Sequence, residues 1–332
     1  RCGFMSCCLE ESNGIISGEE SDSLEEESTG LVEMADLEAP GKTNFKELPL
    51  AVTLPFAPAH AMEFFDWFFW GAIGVGWAIS YFLNPQAIYD NNITRTFQVL
   101  NVCVGFDFLP ARPFVMYIFF LGWPLFAFGI WGRWLKINHC KGGHKSLRKA
   151  LLIVAMVLTA TFTLCLAVPP FNFRQWQVHV GAFGTALWGW SIFKVLGIVE
   201  FYSFDWNGGF WDEDHDGQRD TNAVVYIWTL LIHCAIMIGG GALMLYRAMT
   251  FPAEKFVSVI NDMTIPPQYE GGVEVIGEFN SWKTSAKLVY PDGTEVPIAF
   301  DWPGTLLVII TMIALPLQAC TMPHKLKYFH PR

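Results

Sequence analysis

Residues Thr221 to Tyr246 read T-N-A-V-V-Y-I-W-T-L-L-I-H-C-A-I-M-I-G-G-G-A-L-M-L-Y, without one Asp, Glu, Lys or Arg. A helix needs ~20 such residues to cross a hydrocarbon core of roughly 30 Å, and a buried helix of a soluble protein seldom stays uncharged for so long. Five further uncharged runs flank this one: Trp67 to Tyr89, Pro113 to Gly132, Ala150 to Val168, Gln175 to Phe193 and Trp302 to His324. The 332-residue chain is 52% hydrophobic and 16% charged, whereas soluble domains carry about 25% charged residues. Its mean hydropathy is +0.33. These values exclude a soluble enzyme, a nucleic-acid-binding domain and a secreted disulfide framework. The expected fold is an all-α polytopic membrane protein with about six transmembrane helices.

The organisation follows from where the polar residues stand. Residues 1–48 hold twelve acids against Arg1, Lys42 and Lys46, a balance of −9 within a chain of net charge −10. This acidic extended arm cannot bury enough apolar surface to order alone, so a basic protein surface is its expected partner. Residues 49–251 form the membrane body, with helices expected at about 60–84, 113–134, 150–168, 175–196 and 221–247. A connector, Gln86 to Leu109, joins the first two helices, and Val195 to Phe204 either extends the fourth or lies along the interface. Residues 252–301 form a small β-rich extramembrane lobe between helices five and six. Its strands are expected at Val273 to Phe279, Ala286 to Tyr290 and Glu295 to Phe300, with a turn at Pro291–Asp292–Gly293. Fifty residues are too few for a secure core, so the lobe should pack on the body or on a partner. Residues 302–332 supply helix six and a basic tail. Arg133, Lys136, Lys141, Lys145, Arg148 and Lys149 share a face with Lys325, Lys327 and Arg332 in a six-helix count, which the positive-inside rule assigns to the cytoplasm, stroma or matrix.

The sharpest motif is Asp212–Glu213–Asp214–His215–Asp216–Gly217–Gln218–Arg219–Asp220. Alternate acids over a glycine turn can converge on calcium, with Asp212, Asp214, Asp216, Gln218 and Asp220 as the ligand set. Ala223 stands where a complete EF-hand places its bidentate Glu, so only a reduced, weak calcium loop is expected, beside the alternative of a solvated helix cap. His179 and His233 lie inside spans, where ionisable groups are functional candidates. Each can serve as the single axial ligand of a chlorophyll-type pigment, or bond to a neighbouring helix. Their unequal depths disfavour a bis-His haem. Trp188 and Trp190 sit deep and suit either a flat hydrophobic ligand, pigment or lipid, or protein packing. His60, Glu63 and Asp66 recur every three residues as a polar strip, and Lys194 and Glu200 flank the inner end of helix four. Asn92–Ile93–Thr94 is a glycosylation sequon, and Cys2, Cys7 and Cys8 are candidates for acylation.

No catalytic cluster stands out, so no catalytic residue is assigned. The expected role is a non-catalytic integral membrane subunit of a larger photosynthetic or respiratory assembly, in a thylakoid or mitochondrial inner membrane rather than the plasma membrane. Other membrane-complex subunits and lipid are its partners, and nucleic acid is not. The alternative is a transporter or channel regulated by a cation at the acidic loop. A membrane redox enzyme ranks third.

Overall fold

In hydrocarbon every backbone N–H and C=O must find its partner within the segment, so uncharged runs become long helices. A computed structural model of the protein describes residues 58–101, 103–139, 144–204, 220–264, 267–277 and 286–322. Helix α1 spans Pro58–Leu83 and is followed by two short helices, α2 Pro85–Tyr89 and α3 Asn92–Phe97. Strand β1 is Val99–Leu100, and α4 is Val104–Asp107. Helix α5 runs Ala111–His139, α6 Lys145–Ala160 and α7 Phe162–Ala167. Helices α8 Phe173–Phe204, α9 Thr221–Thr250 and α10 Trp302–Thr321 complete the bundle. Among the described residues, five segments are long and apolar enough to cross a membrane: Ala111–Asn138, Lys145–Ala167, Phe173–Ser203, Thr221–Thr250 and Trp302–Thr321.

The helices overrun the uncharged runs at their charged ends. Helix α5 continues past Gly132 through Arg133 and Lys136. Helix α8 continues past Phe193 through Lys194 and Glu200, so Val195 to Phe204 extends the fourth expected helix. The third expected helix is broken at Thr161, whose Oγ1 donates to Leu158 O at 2.6 Å and lies 3.0 Å from Ala182 O of α8. The bundle centre is filled by rings. Phe69 lies 4.4 Å from Trp190 and 4.5 Å from Phe162, and Phe65 lies 4.8 Å from Phe126, centroid to centroid. Edge and tilted geometries of this kind add to the burial of large apolar surfaces.

The connector expected from Gln86 to Leu109 is structured, with α2, α3, β1 and α4 occupying it. Asn84 and Asn91 start its two short helices by accepting from Ala87 N and Thr94 N, the usual work of an Asn N-cap. Gln98 closes α3 in the left-handed region at φ 58°. That conformation costs a non-glycine residue roughly 1–2 kcal/mol. It is offset here by two bonds, Gln98 Nε2 to Tyr290 Oη at 2.7 Å and Ala299 N to Gln98 O at 2.8 Å.

Those bonds reach into the β-rich segment. Its strands are β2 Val259–Asn261, β3 Gln268–Tyr269, β4 Glu274–Ile276, β5 Lys287–Val289, β6 Glu295–Pro297 and β7 Ala299–Phe300. Strands β4, β5 and β6 form an antiparallel sheet in that order; β5 is one residue shorter at each end than expected, and the strand expected at Glu295 to Phe300 starts at Glu295 but is divided into β6 and β7. Phe279 lies outside the described residues. The expected turn is present, with Gly293 at φ 82° and Gly293 N donating to Tyr290 O. The β2–β3 hairpin and the parallel pairing of β1 with β7 had no clear sequence signal.

Among its described residues this segment shares its core with the connector. Ile88, Ile93, Leu100 and Phe108 of the connector pack with Val273, Leu288 and Ile298 of the β-rich segment around Trp176 of α8. Arg95 is the polar centre of the seam. Its Nε donates to Asp90 Oδ1 at 2.7 Å, Nη1 bonds Val273 O, and the guanidinium lies 4.2 Å over the Tyr269 ring. Burial first, and Asp90 second, raise the Tyr269 hydroxyl above its ordinary range, so it stays a donor, to Asp90 O at 2.8 Å. The sequon is absorbed into this seam. Asn92 is fully buried and its Nδ2 donates to Pro170 O at 2.6 Å, so the folded chain offers no amide for glycosylation.

Candidate functional site

Five helices bring polar side chains to one small cavity. Helix α8 contributes Trp190, Lys194 and Gly197, one face at helical spacing; α9 contributes Tyr226 and Leu230, and α10 contributes Gln318, with Met322 just past its end. Asp66 of α1 and Arg133 of α5 close the wall, around a cavity of ≈ 20 Å³. Lys194 Nζ lies 3.1 Å from Asp66 Oδ2, with the two side chains 9% and 7% exposed. Arg133 Nη1 stands 3.7 Å from Glu200 Oε2, an ion-pair separation outside hydrogen-bonding range. Buried charges persist only when paired, since an isolated ion in a low dielectric carries a prohibitive desolvation cost. The pairings therefore explain how Asp66, Arg133, Lys194 and Glu200 are tolerated within long apolar helices.

His233 stands behind this wall. Gln318 Nε2 lies 3.2 Å from His233 Nδ1 and donates to Thr229 O at 3.2 Å. An amide NH₂ only donates, so Nδ1 accepts and Nε2 carries the ring hydrogen. That Nε2 is buried without a hydrogen-bond partner among the described residues.

A second polar cluster lies at the other end of α8. His179 and Lys194 are fifteen residues apart, about 22 Å along the helix axis at 1.5 Å per residue. His179 Nδ1 is 2.9 Å from Val168 O, which can only accept, so Nδ1 bears a hydrogen. His179 Nε2 faces Asp107 Oδ1 at 3.3 Å. Burial raises the Asp107 carboxyl to about 6, with His179 and Arg112 pulling the other way. Burial also pushes the neighbouring Cys103 thiol up, helped by Asp107 and Asp301.

Cys165 completes this cluster without forming a nucleophile. Its Sγ lies 3.4 Å from His179 Nε2 and 3.7 Å from Nδ1. A sulfur in the ring plane and so nearly equidistant from both nitrogens would collide with Cε1, so the thiol rests over the ring face. The imidazole lone pair cannot take its proton from there, as nucleophile activation requires. Among the described residues no group of three His, Cys, Asp or Glu side chains is placed to hold a metal ion.

The residues singled out in the sequence fall in several places. His179 joins the Asp107 cluster, while Trp190 lines the cavity and His233 adjoins it through Gln318. Trp188 donates from Nε1 to Ile238 O at 3.2 Å and lies against Gly241, where an added Cβ would meet its Cδ1 at 2.5 Å. Both tryptophans are thus engaged in helix packing. Asp212, Asp214, Asp216 and Gln218 lie outside the described residues. Asp220 caps α9, accepting from Asn222 N at 2.7 Å. In the strip His60, Glu63 and Asp66, the described side chain is that of Asp66. The acidic arm 1–48 also lies outside the described residues.

Arg133, Gln318 and Tyr226 were missed as site residues. Arg133 carried a signal, because it bounds an uncharged run as Asp66 and Lys194 do, whereas Tyr226 and Gln318 lie inside runs and carried none. No family model, no curated protein and no solved structure matches the chain.

Proposed function

We propose that the chain is a non-catalytic, multi-pass integral membrane subunit of a larger assembly in an organellar membrane. The observation that carries this reading is on the β-rich segment, away from the long helices. There Met263 is 88% exposed, Ile260 65% and Ile276 55%. Large apolar side chains presented off the spanning helices fit a protein partner. The ring-filled bundle centre agrees with a scaffold.

In this reading α1 is the sixth span. At 26 residues it is long enough, and its Asp66 is carried by the pair with Lys194. The connector and the β-rich lobe then share one face, and the basic segment around Lys145 occupies the other. Calcium at Asp212, Asp214, Asp216, Gln218 and Asp220 would stiffen the link between α8 and α9. Pigment or lipid would lie against the outer aromatic faces.

The experiment is native purification in mild detergent, with an absorption spectrum and a census of co-purifying proteins, repeated with Ile260→Lys, Met263→Lys. A fixed partner set that the double variant loses supports the reading. A monomer in both preparations defeats it.

The buried Asp66–Lys194 pair favours one second reading, a cation-regulated transporter or channel, because ionisable groups inside spans mark ion pathways. Calcium-dependent ion flux in vesicles holding the purified chain alone would establish that reading instead.

A further inference from the structure

We propose that the cavity between α1, α5, α8, α9 and α10 binds a single monatomic anion, chloride under cellular conditions. Size makes the first selection. A water-sized occupant needs about 10–15 Å³ by the same measure, and the cavity offers ≈ 20 Å³. A pigment, a quinone or a lipid headgroup cannot enter.

Chemistry makes the second selection. The wall is rich in N–H donors. Arg133 Nε and Nη1 and Trp190 Nε1 are buried with no hydrogen-bond partner among the described residues, and Trp190 is only 3% exposed. Lys194 spends one bond on Asp66. The wall sets two cations, Arg133 and Lys194, against one carboxylate, Asp66, whose Oδ2 is taken by Lys194, so a metal cation meets net repulsion and an anion net attraction. A halide accepts from several donors at once, and bonds to an ion strengthen where water is excluded. Arg133 is the group with attraction to spare, because Glu200 reaches it only at 3.7 Å. Leaving such donors unmade carries a desolvation cost, which an anion at their focus removes.

Water is the competing occupant of the same size. It both donates and accepts, and it has no preference between salts. The test uses the full purified chain in detergent, with potassium chloride exchanged for potassium gluconate at constant ionic strength while the thermal midpoint is followed. Chloride and bromide should raise the midpoint saturably and gluconate should not. Arg133→Gln should weaken the half-saturating concentration at least tenfold and Trp190→Phe severalfold. Trp188→Phe, which lies outside the cavity wall, should match the parent. If Arg133→Gln does not fold, chloride-35 line broadening on the parent and on Trp190→Phe gives the same comparison. A parent midpoint equal in chloride and gluconate overturns the proposal and leaves a water-filled cavity. So does equal halide sensitivity in the parent and the cavity variants.

Discussion

Lys194 and Asp66 meet 3.1 Å apart although 128 positions separate them, and each stands at the border of an uncharged run. The pair joins α1 to α8 inside the bundle. It turns two residues that look like helix ends into an internal tie.

Breaking the pair on one side should be costly. Asp66→Asn or Lys194→Met leaves a buried charge without its partner, a loss on the order of 3–5 kcal/mol. The double variant Asp66→Leu, Lys194→Met removes both charges and should recover most of that loss. Thermal midpoints of the parent, Asp66→Leu, Lys194→Met and the double variant in one detergent close the cycle. Additive losses in the double variant would refute the coupling.

Asp107 gives a pH dependence of definite sign. Its carboxyl is raised from 3.8 to about 6, so the native state holds this proton more tightly than the unfolded chain does. The stability it contributes is complete below about pH 4 and is lost as pH rises through about 6. Two units correspond to roughly 3 kcal/mol. Cys103, Arg112, Cys165, His179 and Asp301 surround the group. Midpoints measured from pH 4 to pH 7 should fall more steeply for the parent than for Asp107→Asn.

Two glycines of α8 should respond oppositely to alanine. A Cβ at Gly189 would meet Thr159 N of α6 at 2.4 Å, and backbone cannot yield as a side chain does. Gly189→Ala should lose about 1–3 kcal/mol by overpacking. At Gly181 nothing lies within 4 Å, so Gly181→Ala should be neutral or gain up to about 1 kcal/mol from helix propensity. Equal midpoints for both variants would contradict the packing of α6 on α8.

Asn92 should remain unmodified in a glycosylating expression host. The full-length band should not shift on endoglycosidase treatment, because the amide is buried against Pro170 O. Asn92→Ala should lose about 1–3 kcal/mol, the cost of an orphaned buried acceptor.

Arg95 should hold the β-rich segment to the connector. Arg95→Ala removes the bond to Asp90, the bond to Val273 O and the contact with Tyr269. Proteolytic cleavage between residues 259 and 277 should accelerate severalfold while the long helices stay protected. Unchanged cleavage would mean that the apolar seam suffices.

The sequence alone determined the long helices and the turn at Pro291–Asp292–Gly293. Each rests on local chemistry: uncharged length sufficient for a hydrocarbon core, and a proline–glycine turn. It could not determine what becomes of residues whose partners are distant in the chain. Arg133 and Lys194 marked the ends of runs, yet the helices continue through them because Glu200 and Asp66 arrive from other turns and other helices. The internal structure of the connector was not legible because its short helices are held by Asn caps and by strands more than 150 positions away. Asn92 matched a surface sequon, and its burial depends on Pro170 of a different hairpin. The cavity needed five helices before it existed. Periodicity within one segment fixes which atoms a helix presents, whereas only the packing of segments decides which of those atoms meet.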